Sequence, residues 1–243
     1  MKKYLGFILV IVLVISVLVS CASNDTKPLL KVGTNAYFPP YEYYSGGSLV
    51  GIDVDIAKEI ARRNNWDIKF VDMPFNNLFD AAMTGSVDII ASAYTKTDER
   101  AQQLDFTSVY ATTTQLLLVS SNTTYNNIAD VKQSDGLIGA LKGSTSEDLA
   151  FKEFDIERVR LYESTALLMD ALQKGLVESV IVDSDPASWW SKSEDLILLE
   201  FTDLVENYAI AISPKCLYGD KIKSTLDSML QDGTVDDIIN QYK

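Results

Sequence analysis

The sequence predicts an α/β fold built as two doubly wound lobes. Three observations lead there. Short apolar runs alternate with helical patterns from residue 29 onward, the alternation falls into two separate series, and a leader-like segment at the N-terminus stands apart from both.

The first series opens with LLKVGTN (29–35), which reads as a strand. After a Gly-Gly turn, DVDIAKEIARRN (53–64) places Val54, Ala57, Ile60 and Ala61 on one face and Asp53 and Asp55 at its start. That is an amphipathic helix with acids at the positive end of its dipole. DIKFVD (67–72) is a strand, NNLFDAAMTG (76–85) a helix ending at Gly85, and VDIIAS (87–92) a strand. The order β-α-β-α-β predicts a parallel sheet. In the second series QLLLVS (115–120), GLIGAL (136–141), VRLY (159–162), VESVIVD (177–183) and LILLEF (196–201) read as strands. Helices fall between them, from about Glu147, over STALLMDALQKG (164–175) and around DPASWW (185–190). YAIAIS (208–213) adds a strand, and two helices, 219–233 and 234–243, close the chain.

Composition narrows the function. There is no His in 243 residues, which excludes a Ser-His-Asp or Cys-His triad and any His-ligated zinc. With 21 Lys plus Arg against 34 Asp plus Glu, the net charge is −13, opposite to the basic footprint that nucleic acid requires. Two Cys cannot make a disulfide scaffold or a four-thiolate metal site. No metal and no cofactor is expected.

Residues 1–20, MKKYLGFILVIVLVISVLVS, pair a basic start with an apolar run, the pattern of a secretory signal. Leu18-Val19-Ser20-Cys21 resembles the bacterial lipobox, which implies that Cys21 is lipidated and becomes the first mature residue. Without Lys2 and Lys3, 19 basic residues face 34 acids, a balance of −15. Residues 21–28 then form a short lipid-anchored tether. Cys216, left alone, reads as a buried thiol packing as a small hydrophobe.

Five blocks together carry a resemblance: GTNAYFPPYEY with GSLVGIDVDIAKEIA (33–61), the run from FNNLF to FTSVY (75–110), IGALKGSTSED (138–148), ALQKGLVESVIVDSDPA (171–187) and DGTVDDIINQY (232–242). In this order and spacing they are similar to the family-3 extracytoplasmic solute-binding proteins, the polar amino-acid receptors of ABC importers. The resemblance implies a periplasmic binding protein-like fold of type II, two α/β lobes joined by two hinge strands and closing over one ligand. Carried over, lobe 1 is 29–109 plus 212–243 and lobe 2 is 115–206, with crossovers at 110–114 and 207–211.

Arg100 follows Thr97, a good N-cap, and so falls in the first helical turn, where a cation opposes the dipole. Locally it reads equally as a surface Arg paired with Asp98, Glu99 or Asp105. The family motif places it on the ligand's α-carboxylate, where a planar guanidinium grips two oxygens at once. The same motif implies Thr95 as a hydroxyl contact, Ala93 as a carbonyl contact and Ser92 as a weaker neighbour. Ser144-x-x-Glu147 has the form of a capping box after Gly143, a setting that presents free N–H groups to an anion. Family position makes Thr145 a second carboxylate contact there, beside Ser144. Asp183 ends a strand at the edge where α/β folds bind ligands, with Asp185 before Pro186 as the expected helix cap. The family puts Asp183 on the ligand's ammonium. Phe38 and Phe75 match positions flanking the ligand side chain, and Asn35, Leu141 and Val182 match pocket-lining positions. No carboxylate among these is spare and Lys142 points outward, so a neutral side chain is expected: Gln, Asn, Cys or Met. Trp189 and Trp190 read as packing on lobe 2.

The resemblance thus implies a monomeric, lipid-anchored extracytoplasmic receptor for an L-amino acid, partnered by permease subunits, and not an enzyme. A dehydratase on the same fold would need a cleft acid free to protonate a leaving group. A signalling receptor would need an attached output domain.

Overall fold

The computed structural model describes residues 27–192 and 195–242, without the side chains of Thr202 and Asp203. The signal and the Cys21 lipid site lie outside the described residues. No described helix is long and apolar enough to cross a membrane.

Two five-stranded sheets form, one per series. The first has β1 (Leu29–Thr34) beside β4 (Asp67–Asp72) and β5 (Ile89–Ile90), all parallel, then β12 (Ala211–Ile212) and β6 (Asp105–Phe106), with β12 antiparallel to both of its neighbours. The second runs β11 (Leu196–Tyr208), β7 (Ala111–Ser120), β10 (Ser179–Asp183), β8 (Ile138–Leu141), β9 (Val159–Tyr162). Here β8 is parallel to β9 and β10, while β7 is antiparallel to β10 and β11. The parallel sheet expected from the alternation is therefore a parallel core plus antiparallel strands. Of the antiparallel strands, β12 enters the first sheet after the second series, from β11, and β7 follows β6 directly, in neither case through a helical crossover, so nothing forces them parallel.

Helix α1 (Ile52–Arg63) buries the predicted face, with Arg62 and Arg63 in its last turn. Helix α2 (Leu78–Thr84) stops at Gly85, which is left-handed at φ 77. The Gly-Gly turn proves to be a hairpin of β2 (Tyr43–Ser45) and β3 (Ser48–Val50), with Gly46 and Gly47 both at positive φ. The short helices are α3 (Asp98–Ala101) and α4 (Ile128–Gln133); α4 was not expected from the sequence. Helices α5 (Thr145–Glu153), α6 (Thr165–Gln173) and α7 (Ser184–Trp190) serve the second sheet, and α8 (Gly219–Gln231) and α9 (Thr234–Asn240) return to the first.

Three apolar clusters hold this together. One packs β1 and α1 against α8 and α9 through Val32, Ile56, Ile60, Ile222, Leu226 and Met229. Another lies under the second sheet around Leu117, Ile138, Leu149 and Ile181. The third joins both halves, from Leu78 and Ile90 to Leu168, Val180 and Val182. Cys216 is half-buried rather than buried; it packs at the margin of the first cluster, where burial raises its thiol pKa.

The two halves meet where β7 and β11 leave the second sheet. Tyr208, fully buried, pairs with Ala111 across the ladder and with Thr95 in an isolated bridge. One residue is thus fixed by strands from both series.

Candidate functional site

All twelve pocket residues expected from the sequence line one narrow cavity between the sheets, in which the centre of a water-sized sphere has about 30 Å³ to move. From the first half come Asn35, Phe38, Phe75, Ser92, Ala93, Thr95 and Arg100. From the second come Leu141, Ser144, Thr145, Val182 and Asp183.

Arg100 is placed by its cap. The Thr97 hydroxyl accepts the Arg100 N–H at 3.2 Å, so α3 begins there and the side chain turns back toward the cavity. Nη1 donates to the Thr95 carbonyl at 2.8 Å and Nη2 to the Gly143 carbonyl, in the other half, at 3.0 Å. The guanidinium lies over Tyr94, 4.1 Å from the ring centroid, with Phe75 at 5.9 Å. Among the described residues no carboxylate forms an ion pair with it; Asp105 pairs with Lys223 instead. Two of its five donors are used, which leaves three for a guest.

Asp183 is the opposite case. One carboxyl oxygen accepts from Tyr208, and the other is buried with no partner among the described residues. Burial pushes its pKa up to about 7, Glu206 and Asp185 add to the rise, and the Tyr208 hydroxyl and the nearby Gln115 side-chain amide oppose it. Helix α7 starts at Ser184, so Asp183 itself sits at the N-cap position, though its side chain caps nothing. Asp185, expected as the cap, is inside the helix and accepts from the Tyr41 hydroxyl at 2.5 Å.

Ala93 holds a strained backbone, φ 45, which non-glycine residues seldom adopt. Its N–H donates to Asp53 at 2.7 Å, and the other Asp53 oxygen accepts from Tyr110 at 2.5 Å. Asp53 therefore does more than complement the dipole of α1. It is fully buried, and burial pushes its pKa up to about 7 against those two hydrogen bonds.

The capping box does not form. Ser144 donates to the Leu141 carbonyl at 2.7 Å, and Glu147 reaches past it to the Gly143 N–H at 2.5 Å. The left-handed Gly143, φ 78, shifts the free N–H by one residue. The Thr145 hydroxyl donates to Glu206 at 3.1 Å and accepts from Gln115 at 3.0 Å. Asn35 already spends an amide donor on the Met73 carbonyl at 2.8 Å. Lys142 is exposed, as expected.

Five lining residues escaped the sequence reading: Glu42, Ser146, Thr165, Leu168 and Ile181. Glu42 matters most, because it is the spare carboxylate the sequence reading lacked. It is 1% exposed; Oε1 accepts from Ser92 at 3.0 Å, and Oε2 has no partner among the described residues. Burial raises its pKa well above the usual carboxylate range, with Asp53 and Asp72 adding to the rise. No local signal marked it, because the flanking Tyr41 and Tyr43 suit a surface as well as a pocket. Trp189 and Trp190 also differ from expectation: they meet Tyr43 and Phe38 of the first half.

Two α/β halves closing on one cavity, a cation on one wall and an unpaired buried acid on the other, define a solute-binding protein. The chain belongs to the bacterial extracellular solute-binding proteins, family 3, whose sequence model matches residues 30–243. It is 28% identical to the arginine-binding extracellular protein ArtP of Bacillus subtilis, across all of this chain and 98% of that one. An ancestral arginine-binding protein, solved bound to glutamine, matches 89% of this chain and 98% of its own at TM-score 0.82 and 30% identity. The arginine-, lysine-, histidine-binding protein ArtJ of Geobacillus stearothermophilus matches 88% of this chain and 94% of its own, TM-score 0.82 and 27% identity.

Proposed function

We propose that this protein is a receptor for an L-amino acid, anchored outside the cytoplasm by lipid on Cys21, which hands its ligand to an ABC importer and is not an enzyme. The observation that carries the reading is the pairing of Arg100 and Asp183 across one cavity. Arg100 retains donors for an α-carboxylate, and the unpaired Asp183 oxygen faces the place an α-ammonium would take. Thr95, Ala93, Ser92, Ser144 and Thr145 then surround the amino-acid backbone, with Phe38, Phe75, Leu141, Val182 and Asn35 around the side chain. The lobes are 29–109 with 212–243, and 115–206. They close about the crossovers 110–114 and 207–211, and the permease reads the closed form.

The side chain is where Glu42 changes the expectation. A partnerless acceptor at the cavity wall disfavours Cys and Met, which cannot satisfy it, and favours a side chain ending in N–H donors. Arginine fits first, since its charge offsets that of an ionised Glu42 and its plane stacks on Phe walls. Glutamine and asparagine follow, the two of the neutral set that end in N–H donors. The named ligands of the relatives agree with arginine and glutamine.

Calorimetry of the purified 27–243 chain with L-arginine, L-glutamine, L-methionine and the α-keto acid of glutamine tests this. Arginine or glutamine should bind with Kd about micromolar or tighter, about −8 kcal/mol or more favourable. The keto acid, lacking the ammonium, should bind poorly. Absence of binding by all three amino acids would sink the receptor reading. Mass spectrometry of membrane-extracted protein checks the lipid: an unmodified Cys21 would refute the anchor.

A further inference from the structure

The turn that follows β1 serves two purposes. Phe38 and Glu42 face each other across a bridge, with the Phe38 N–H donating to the Glu42 carbonyl at 2.8 Å and the Glu42 N–H to the Phe38 carbonyl at 3.1 Å. That brings both to the cavity wall. The alternate residues, Tyr41 and Tyr43, are directed elsewhere. Tyr41 donates to Asp185 on α7, and Tyr43 packs on Trp189 at 5.4 Å between centroids. Trp190 meets the Phe38 ring edge-on at 6.4 Å and 78°. The turn thus touches α7 at three points: a hydrogen bond and two aromatic pairs.

These contacts join elements of different sheets. The turn belongs to the first, leaving β1. Helix α7 belongs to the second, following β10 without a loop, so that Asp183 is its N-cap residue. Tyr41 also stands edge-on to Tyr208, 4.9 Å and 90°, whose hydroxyl serves Asp183. A line of contacts therefore runs from Glu42 and Phe38, through Tyr41, to Asp183. None of Tyr41, Tyr43, Asp185, Trp189 and Trp190 lines the cavity itself.

We propose that helix α7 is a clasp: Asp185, Trp189 and Trp190 seize the 38–43 turn when the cleft shuts and set how long the amino acid is held. This rests on the receptor reading. Two half-buried Trp side chains gain an apolar partner on closure, and the Tyr41–Asp185 hydrogen bond has its acceptor on the opposite half. All three contacts must break before the cleft opens. Contacts of this kind act on the release rate more than on capture. Tyr41, Asp185, Trp189 and Trp190 are positioning residues, because they act through the closed geometry.

The test is release of radiolabelled L-arginine, and in parallel L-glutamine, from the 27–243 chain chased with unlabelled amino acid. Trp190→Ala should speed release about two- to tenfold, the range for one aromatic pair. Trp189→Ala with Trp190→Ala should multiply the effect, and Trp190→Phe should restore most of it. Tyr41→Phe removes one oxygen, so it serves even if a Trp variant fails to fold; it should speed release, and Asp185→Asn should add little on top of it. Association rates should change less than twofold throughout. Release unchanged in folded Trp190→Ala and Tyr41→Phe, while wild type binds, overturns the clasp alone. Wild type that binds neither amino acid overturns the clasp together with the receptor reading.

Discussion

The two walls of the cavity hold their charges in opposite ways. On the first wall Arg100 is already served: two carbonyls accept from it, Tyr94 lies under its plane, and Thr97 fixes its helix. On the second wall Asp183 is half-served, one oxygen on Tyr208 and the other buried without a partner. The cation is preorganised at little cost. The anion is held in a setting that disfavours its charge until an ammonium arrives. Around these two charges, one wall supplies geometry and the other unmet demand, and Glu42 adds a second partnerless oxygen on the first wall. On the proposed receptor reading, a guest with both ends would satisfy each wall and so favour closure over either contact alone.

The largest break in that comparison is Arg100→Ala. It removes the preorganised charge and the only side chain bonded to carbonyls of both halves described here. Binding should weaken by about 2–5 kcal/mol, roughly 30- to 4,000-fold, measured by calorimetry. The ligand-free melting temperature should move far less than the affinity.

Asp183→Asn comes next. It keeps an acceptor for Tyr208 and loses the charge, at about 1.5–3 kcal/mol, roughly tenfold or more in Kd. It also exposes a pH signature. The folded pKa, about 7, is raised above the ordinary 3.8 of an aspartate, so stability from this group is full at low pH and falls as pH rises toward 7. A bound ammonium favours the ionised form and lowers that pKa. Wild-type affinity should thus be full above about pH 7 and decline as pH falls below it. Asp183→Asn should lose this dependence, and its unliganded form should melt higher than wild type at pH 8, with no such gain at pH 4. A wild-type Kd flat from pH 5 to 8 would count against the unpaired anion.

Gly143→Ala tests the seam between the walls. A Cβ there would stand 2.9 Å from the Asn76 Cα of the first half, at φ 78. The left-handed strain, about 1–2 kcal/mol, burdens any form that keeps this turn and should lower the melting temperature, while the clash with Asn76 falls on the closed form alone and should weaken binding. Glu42→Gln should have the smallest effect and the most selective. A charge-assisted hydrogen bond is about twice a neutral one, so the variant should shift the arginine-to-glutamine affinity ratio toward glutamine by about fivefold. Equal effects on both would remove Glu42 from the side-chain end.

The twelve pocket positions were legible through the family resemblance: the capped turn of Arg100, the strand end of Asp183 and the glycine turn before Thr145 are locally ordinary structure, and Asn35, Phe38, Phe75, Leu141 and Val182 lie in no local motif that marks a pocket. Glu42 was not legible. Its neighbours along the chain are surface-compatible tyrosines, and what makes it a pocket acid is Ser92, 50 residues away, and a closed turn against Phe38. Asp53 looked like a helix-dipole acid for the same reason; its real partners, Ala93 and Tyr110, are remote in sequence.

By itself, then, the sequence determined the β-α-β order, the helix faces and the motif-borne charges, because periodicity, capping and turn chemistry act within a few residues. The tertiary structure alone decided which strands run antiparallel, where Trp189 and Trp190 dock, and which carboxyl oxygens are left without partners. Those outcomes depend on burial and on hydrogen bonds between residues tens to hundreds of positions apart, and such energies exist only after the two halves have met.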